Sequence, residues 1–208
     1  MTDTTRPELS DMDRAALVRR GIWLSYVTIA YNSLEAIGSL IAGLLAGSVA
    51  LVGFGVDSVI EVLASLAAQW RLRSDIDLRR REGVEIWTRR IVAICFLALA
   101  VYVLADAANT LWQREAPDSS LFGIVVLALS VVVMPVLARS KKRVARAMRS
   151  GALEAEAAQT SLCAYLSVIG LGGVALNALF GWWWADPGAA LIMVPVIAAE
   201  GWEGIRSA

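Results

Sequence analysis

Six apolar runs, each interrupted by a short polar or basic connection, organise the chain: residues 22–46, 48–70, 90–112, 120–138, 152–180 and 184–202. Each is close to the ~20 residues that an α-helix needs to cross a ~30 Å hydrocarbon layer. The pattern predicts an all-α integral membrane protein of six transmembrane helices, with residues 1–208 forming a single transmembrane domain and no soluble domain. The longest polar stretch, around 71–90, reads as a loop with room for a short helix in SDIDLRRREGVEIWTRR. The opening MTDTTRPELSDMDRAALVRR is polar, and the apolar run after it is too long for a signal-peptide core, so the first span is expected to be retained. Pro135 and Pro195 fall inside spans four and six, whereas Pro187 suits the first turn of the sixth helix. The GLLAG segment, Gly43 to Gly47, is a GxxxG match that permits close helix approach.

Composition agrees with the membrane reading: 58% of residues are hydrophobic, and mean hydropathy is positive. Formal net charge is zero, but its distribution is not even. Arg6, Arg14, Arg19 and Arg20 precede the first span. Arg71, Arg73, Arg79, Arg80, Arg81, Arg89 and Arg90 lie between spans two and three, and Arg139, Lys141, Lys142, Arg143, Arg146 and Arg149 between spans four and five. Arg206 ends the list on that side, and Arg114 alone occupies the other. The positive-inside rule then places both termini in the cytoplasm. Anionic headgroups account for the basic connections, and no nucleic-acid partner is needed. Trp182, Trp183 and Trp184 sit where an interfacial aromatic belt is expected on the outer side. The bias toward Ala and Arg, with only two lysines, points to a GC-rich bacterial genome and so to the bacterial inner (plasma) membrane.

Histidine is absent, which removes the commonest transition-metal ligand, and any site must use carboxylate, amide, thiol or hydroxyl groups. Cys95 and Cys163 fall inside different spans, which argues against a structural disulfide. In GVDSVIEVLAS, Asp57 and Glu61 place two carboxylates inside the second span, where an ionised group costs on the order of several kcal/mol unless it serves a cavity, a partner or an ion path. Four residues apart, they share one helical face about 6 Å apart along the axis and can bind one ligand together. Ser65 extends that face by another turn, as a further ligand or as a hydroxyl bonded back to its own helix. The fifth span repeats the spacing with Gln159, Cys163 and Ser167 in QTSLCAYLS. Under the antiparallel topology Asp57 with Cys163, and Glu61 with Gln159, fall at similar depth, so the two pairs can converge into one four-ligand site. For Gln159 and Cys163 taken alone, interhelical bonding and core packing are the simpler explanation; the pair on span two tips the balance to ligation.

The first span adds Asn32, Glu35 and Ser39 on one face, with Tyr31 beside them. Glu35 reads equally as a second ion or proton station and as one half of a buried pair. Asp106 and Asn109 suit a solvated outer vestibule better than a ligand site. Glu154 and Glu156 suit charge balance among basic neighbours better than a funnel for ions, and Glu200 and Glu203 read the same way.

At YNSLEAIGSLIAGLLAGSVALVGFGVDSVIEVLAS, and again at AEAAQTSLCAYLSVIG and NALFGWWWADPGAALIMVPVIAAEG, the chain resembles the cation diffusion facilitator family across its whole six-span region. The resemblance implies divalent metal efflux, chiefly of zinc, by alternating access and proton antiport, with Asp57 and Glu61 in the family's His/Asp-x-x-x-Asp positions. It puts Gln159 and Cys163 at the corresponding pair on span five, where the family ordinarily carries His or Asp. It is closest to compact, transmembrane-only relatives that lack the cytoplasmic C-terminal domain and the His-rich loop, so that a homodimer would form through the spans.

The expectation is therefore a transporter and not an enzyme, without a cofactor, whose partners are the lipid bilayer, protons and a transported divalent cation. A thiolate ligand favours Zn2+, and an oxygen set alone leans toward Mn2+, with Co2+ and Fe2+ also compatible. The alternative is a non-transporting membrane metal sensor, regulatory subunit or scaffold that kept the fold.

Overall fold

The computed structural model describes residues 11–73, 78–148 and 151–206, all of them in helices or the short links between helices. The basic residues Arg6 and Arg149 lie outside the described residues, as do the side chains of Arg14, Arg71, Arg73, Arg79, Arg80, Arg81 and Arg89. Six helices follow one another: α1 (Asp11–Ala46), α2 (Val49–Arg73), α3 (Leu78–Gln113), α4 (Leu121–Met148), α5 (Gly151–Phe180) and α6 (Ala185–Arg206). All six are long and apolar enough to cross a membrane.

The helices outrun the apolar windows at their basic ends. Where the sequence predicts a loop with a short helix over 71–90, α3 is already helical from Leu78, and α4 continues ten residues past the predicted end of its span to Met148. Hydropathy marks only the part of a helix that meets lipid. The polar extension costs nothing in water and is sustained by the backbone hydrogen bonds of the turn before it. Pro187 does sit in the first turn of α6, and Pro135 and Pro195 lie within continuous helices.

Two connections are fixed by caps. α1 stops at Gly47, whose positive φ of 64° suits a residue without Cβ, and Ser48 N–H bonds back to the Gly43 carbonyl at 2.9 Å. Ser48 Oγ then accepts from Leu51 N–H at 3.1 Å to cap α2, and Ser120 Oγ accepts from Gly123 N–H at 3.0 Å to cap α4. The two glycines of GLLAG thus do different work. Gly47 turns the chain, whereas at Gly43 a Cβ would stand 2.8 Å from the backbone nitrogen of Val52, so only glycine lets α1 and α2 approach there.

These connections gather at one end of the bundle. Asp118 N–H bonds to the Ala46 carbonyl at 2.8 Å, and Asn177 Nδ2 donates to the Pro117 carbonyl at 2.8 Å. The Asp186 carboxylate, in the first turn of α6, accepts from Ser48 Oγ and from Ala50 N–H, tying α6 to the start of α2. Trp182 and Trp184 stack at this same end with centroids 5.4 Å apart, both partly exposed, as an interfacial belt requires.

α1 pairs with α2, α4 with α5 and α3 with α6, while α2 also touches α3, α5 and α6. The main core runs through Leu51, Phe54, Leu127, Leu166, Met193 and Ile197, and a smaller cluster of Leu24, Leu137, Val144, Ala145 and Leu153 closes the basic end between α1, α4 and α5. Large apolar side chains such as Leu34, Leu45, Val101, Val132 and Leu179 point outward, the inverse of a water-soluble surface and what a lipid-facing bundle needs.

Candidate functional site

Between these layers the midsection of the bundle buries polar groups from four helices. Asn32, Glu35 and Ser39 of α1, Asp57, Ser58, Glu61 and Ser65 of α2, Ser130 of α4, and Thr160, Cys163 and Ser167 of α5 are all buried. The predicted stripes on α1 and α2 therefore do face inward, as the i, i+4 spacing requires.

Glu35 is the junction of four helices. One carboxylate oxygen accepts a hydrogen bond from Ser130 Oγ of α4; the other faces Ser58 Oγ of α2 at 3.4 Å and the Cys163 thiol of α5 at 3.9 Å. Tyr31 OH lies 3.1 Å from Ser130 Oγ, which continues the chain of hydroxyls from Glu35. The Cys163 thiol also stands within reach of Asp57 and Glu61. One thiol and three carboxylates from α1, α2 and α5 are thus mutual neighbours. Among the described residues, no three Cys, Asp or Glu groups surround a common point closely enough to hold a metal ion.

Glu61 carries a second set of contacts that the spacing argument did not anticipate. Its Oε1 accepts from Thr160 Oγ1 at 2.9 Å, and Thr160 Oγ1 in turn accepts from Lys141 Nζ at 3.2 Å. Lys141, expected in a basic cytoplasmic connection, is 0% exposed because α4 continues through it and turns it inward. Its ammonium lies 3.3 Å from Glu156 Oε2, which also accepts from Ser25 Oγ at 2.8 Å. Glu156 therefore serves charge balance, the reading that its basic neighbours favoured. Glu154 of the same turn is exposed.

Gln159 keeps its predicted position on α5 but is half-buried, and its neighbour Thr160 is the residue that meets Glu61. On a helix of 3.6 residues per turn, Gln159 lies about 40° to one side of Cys163 and Thr160 about 60° to the other. The stripe through Cys163 can be served by either; the rotation of α5 against α2 selects Thr160. A threonine two residues after an alanine pair carries no sequence signal of its own. Lys141 had one: a lysine inside the turn that follows an apolar run is near enough to fold back into it.

Several buried polar atoms have no hydrogen-bond partner. Both atoms of the Asn32 amide, Ser39 Oγ and Glu61 Oε2 are orphaned, although Asn32 stands beside Glu61. Each such group costs roughly 1–3 kcal/mol unless something satisfies it. Asp106 and Asn109, by contrast, bond only to Tyr102 and Gln113 of their own helix in an exposed setting and stand apart from this cluster.

Comparison with known proteins follows the same lines. The sequence pattern of a family described as the cation efflux transmembrane domain matches residues 25–208. Transmembrane protein 163 of Xenopus laevis is 25% identical over 135 residues, covering 65% of this chain and 48% of that protein. The manganese efflux system protein MneS of Bacillus subtilis (strain 168) is 27% identical over 199 residues, covering 92% of this chain and 68% of MneS. The chain thus spans about half the length of the first relative and about two thirds of the second.

Proposed function

The chain belongs to the cation efflux family, and we propose that it moves a divalent transition-metal ion across the membrane, as a proton-coupled efflux carrier working by alternating access. The observation that carries this reading is the midplane cluster itself, where Glu35, Asp57, Glu61 and Cys163 are neighbours and Asn32 and Glu61 keep orphaned atoms. A dehydrated cation supplies what the Asn32 and Glu61 oxygens lack.

In this scheme Asp57, Glu61 and Cys163 hold the ion, with Asn32 and Glu35 as additional oxygen donors from α1. Gln159 and Ser65 flank the site. Ligand groups must be unprotonated to bind metal, so protons compete with it and binding tightens as pH rises. Protons arriving from the opposite side would release the ion, which gives exchange without any imidazole. Glu35, bonded through Ser130 toward half-buried Tyr31, is placed to pass or hold such a proton.

Zinc is the first ion to test, because Cys163 is a soft donor. Manganese is the second reading, favoured by the number of oxygens around the thiol and by the similarity to MneS. The uneven basic residues support a topology in which both chain ends, and the basic ends of α3 and α4, face the cytoplasm from a plasma membrane.

The deciding experiment is metal flux into proteoliposomes under an imposed pH gradient, with Zn2+ and Mn2+ compared and Asp57→Ala as control. Gradient-driven flux that is lost in the variant supports the reading. Metal binding without flux would favour a sensor or scaffold, and unchanged flux in Asp57→Ala would refute the site.

A further inference from the structure

The two oxygens of Glu61 are in opposite conditions. Oε1 is held by Thr160 at 2.9 Å, and Oε2, equally buried, has no partner. Thr160 has one hydroxyl hydrogen and two acceptors at 2.9 Å, the Glu61 carboxylate and the Glu156 carbonyl of its own helix. With Lys141 Nζ donating to the same hydroxyl at 3.2 Å, the oxygen is already an acceptor, and its single hydrogen goes to the charged carboxylate, the stronger of the two. Lys141 is in turn anchored by Glu156 at 3.3 Å, and Glu156 by Ser25 at 2.8 Å. A buried relay therefore runs from α1 and α4 through α5 to one oxygen of a carboxylate on α2.

We propose that Lys141 and Thr160 are positioning residues that determine which cations the site accepts, by holding one oxygen of Glu61 in a hydrogen bond so that the carboxylate favours binding an ion through the other. A carboxylate limited to one oxygen suits an ion of few ligands. Calcium takes about six to eight oxygens and commonly draws on both oxygens of a carboxylate, whereas zinc is content with four donors. To bind calcium in bidentate fashion, Glu61 must loosen its hydrogen bond from Thr160, whose hydroxyl hydrogen then turns back to the Glu156 carbonyl. The Asn32 amide near Glu61, with its oxygen unpartnered, is a further oxygen ligand for such an ion. This inference rests on the reading of Glu61 as an ion ligand and adds to it the residues that set its denticity.

The test is competitive equilibrium binding of Zn2+, Mn2+ and Ca2+ to the purified full chain in lipid nanodiscs, for the parent and for Thr160→Val, Thr160→Ser, Lys141→Met and Glu61→Gln. Thr160→Val keeps the shape and removes the hydroxyl, and is expected to raise calcium affinity relative to zinc by about tenfold, in the range that outer partners of metal ligands command. Thr160→Ser, which restores the hydroxyl, is expected to keep the parent ratio, and Lys141→Met to shift it in the same direction as Thr160→Val. A merely structural role predicts that all ions weaken by a common factor. That result, or an unchanged ratio in Thr160→Val, overturns the proposal while leaving the site in place. If Glu61→Gln binds every ion as the parent does, the site reading itself fails, and the inference with it.

Discussion

The end of the bundle that carries Trp182 and Trp184 and the midsection treat polar groups in opposite ways. At that end the buried Asp186 carboxylate receives Ser48 and Ala50, and half-buried Asn177 reaches the Pro117 carbonyl. In the midsection Asn32, Ser39 and Glu61 keep atoms with nothing to bond. Both regions bury carboxylates, so burial alone does not mark a functional group. What differs is satisfaction: the Asp186 carboxylate is paired and ties helices together, whereas one oxygen of Glu61 is left without a partner.

Removing a group from each region should separate these roles. The largest effect is expected for Asp57→Ala, with gradient-driven metal flux falling by more than about 100-fold, beyond what loss of an outer partner of a ligand produces. Unfolding should be affected most by Lys141→Met, which leaves Glu156 buried without its cation. Loss of one member of a buried pair costs about 3–5 kcal/mol, measurable by denaturant titration in micelles.

Asp186→Ala orphans the Ser48 hydroxyl and the Ala50 amide, and should lower stability by about 1–3 kcal/mol. The same variant should leave the ratio of zinc to manganese affinity unchanged. A shift in that ratio would break the division between a structural end around Asp186 and the proposed ion site in the middle. Cys163→Ser should do the reverse, keeping the fold and moving preference from zinc toward manganese by roughly tenfold, or about 1.4 kcal/mol. The smallest effect is expected at Gln159, where substitution by alanine should alter metal affinity by less than about twofold, as for a partly exposed side chain outside the contact network.

Neighbouring positions on one helix thus differ sharply in consequence, and the reason bears on what a linear reading can reach. Asp57 and Glu61 were legible because a carboxylate in an apolar run is costly at any rotation of its helix. Asn32 and Glu35 were legible for the same reason, with the role of Glu35 left open between an ion station and a buried pairing. The structure gives Glu35 hydrogen-bond partners on α2 and α4 and a thiol neighbour on α5. Thr160 was not legible, since its hydroxyl can bond to its own helix and is inexpensive anywhere. Lys141 was read as one of a basic series that sets topology. Its flexible four-carbon stem and the continuation of α4 carry it inward instead.

The sequence by itself determined six spans and the presence of paired carboxylates in the interior, because each follows from local rules of hydration and helical period. Tertiary structure alone decided that Thr160 faces Glu61, that Lys141 closes on Glu156, and that Cys163 reaches Glu35. Those outcomes depend on how far each helix is rotated and slid against its neighbours. That choice is made by packing across Gly43, Leu127, Leu166 and Met193 together, and no single stretch of sequence specifies it.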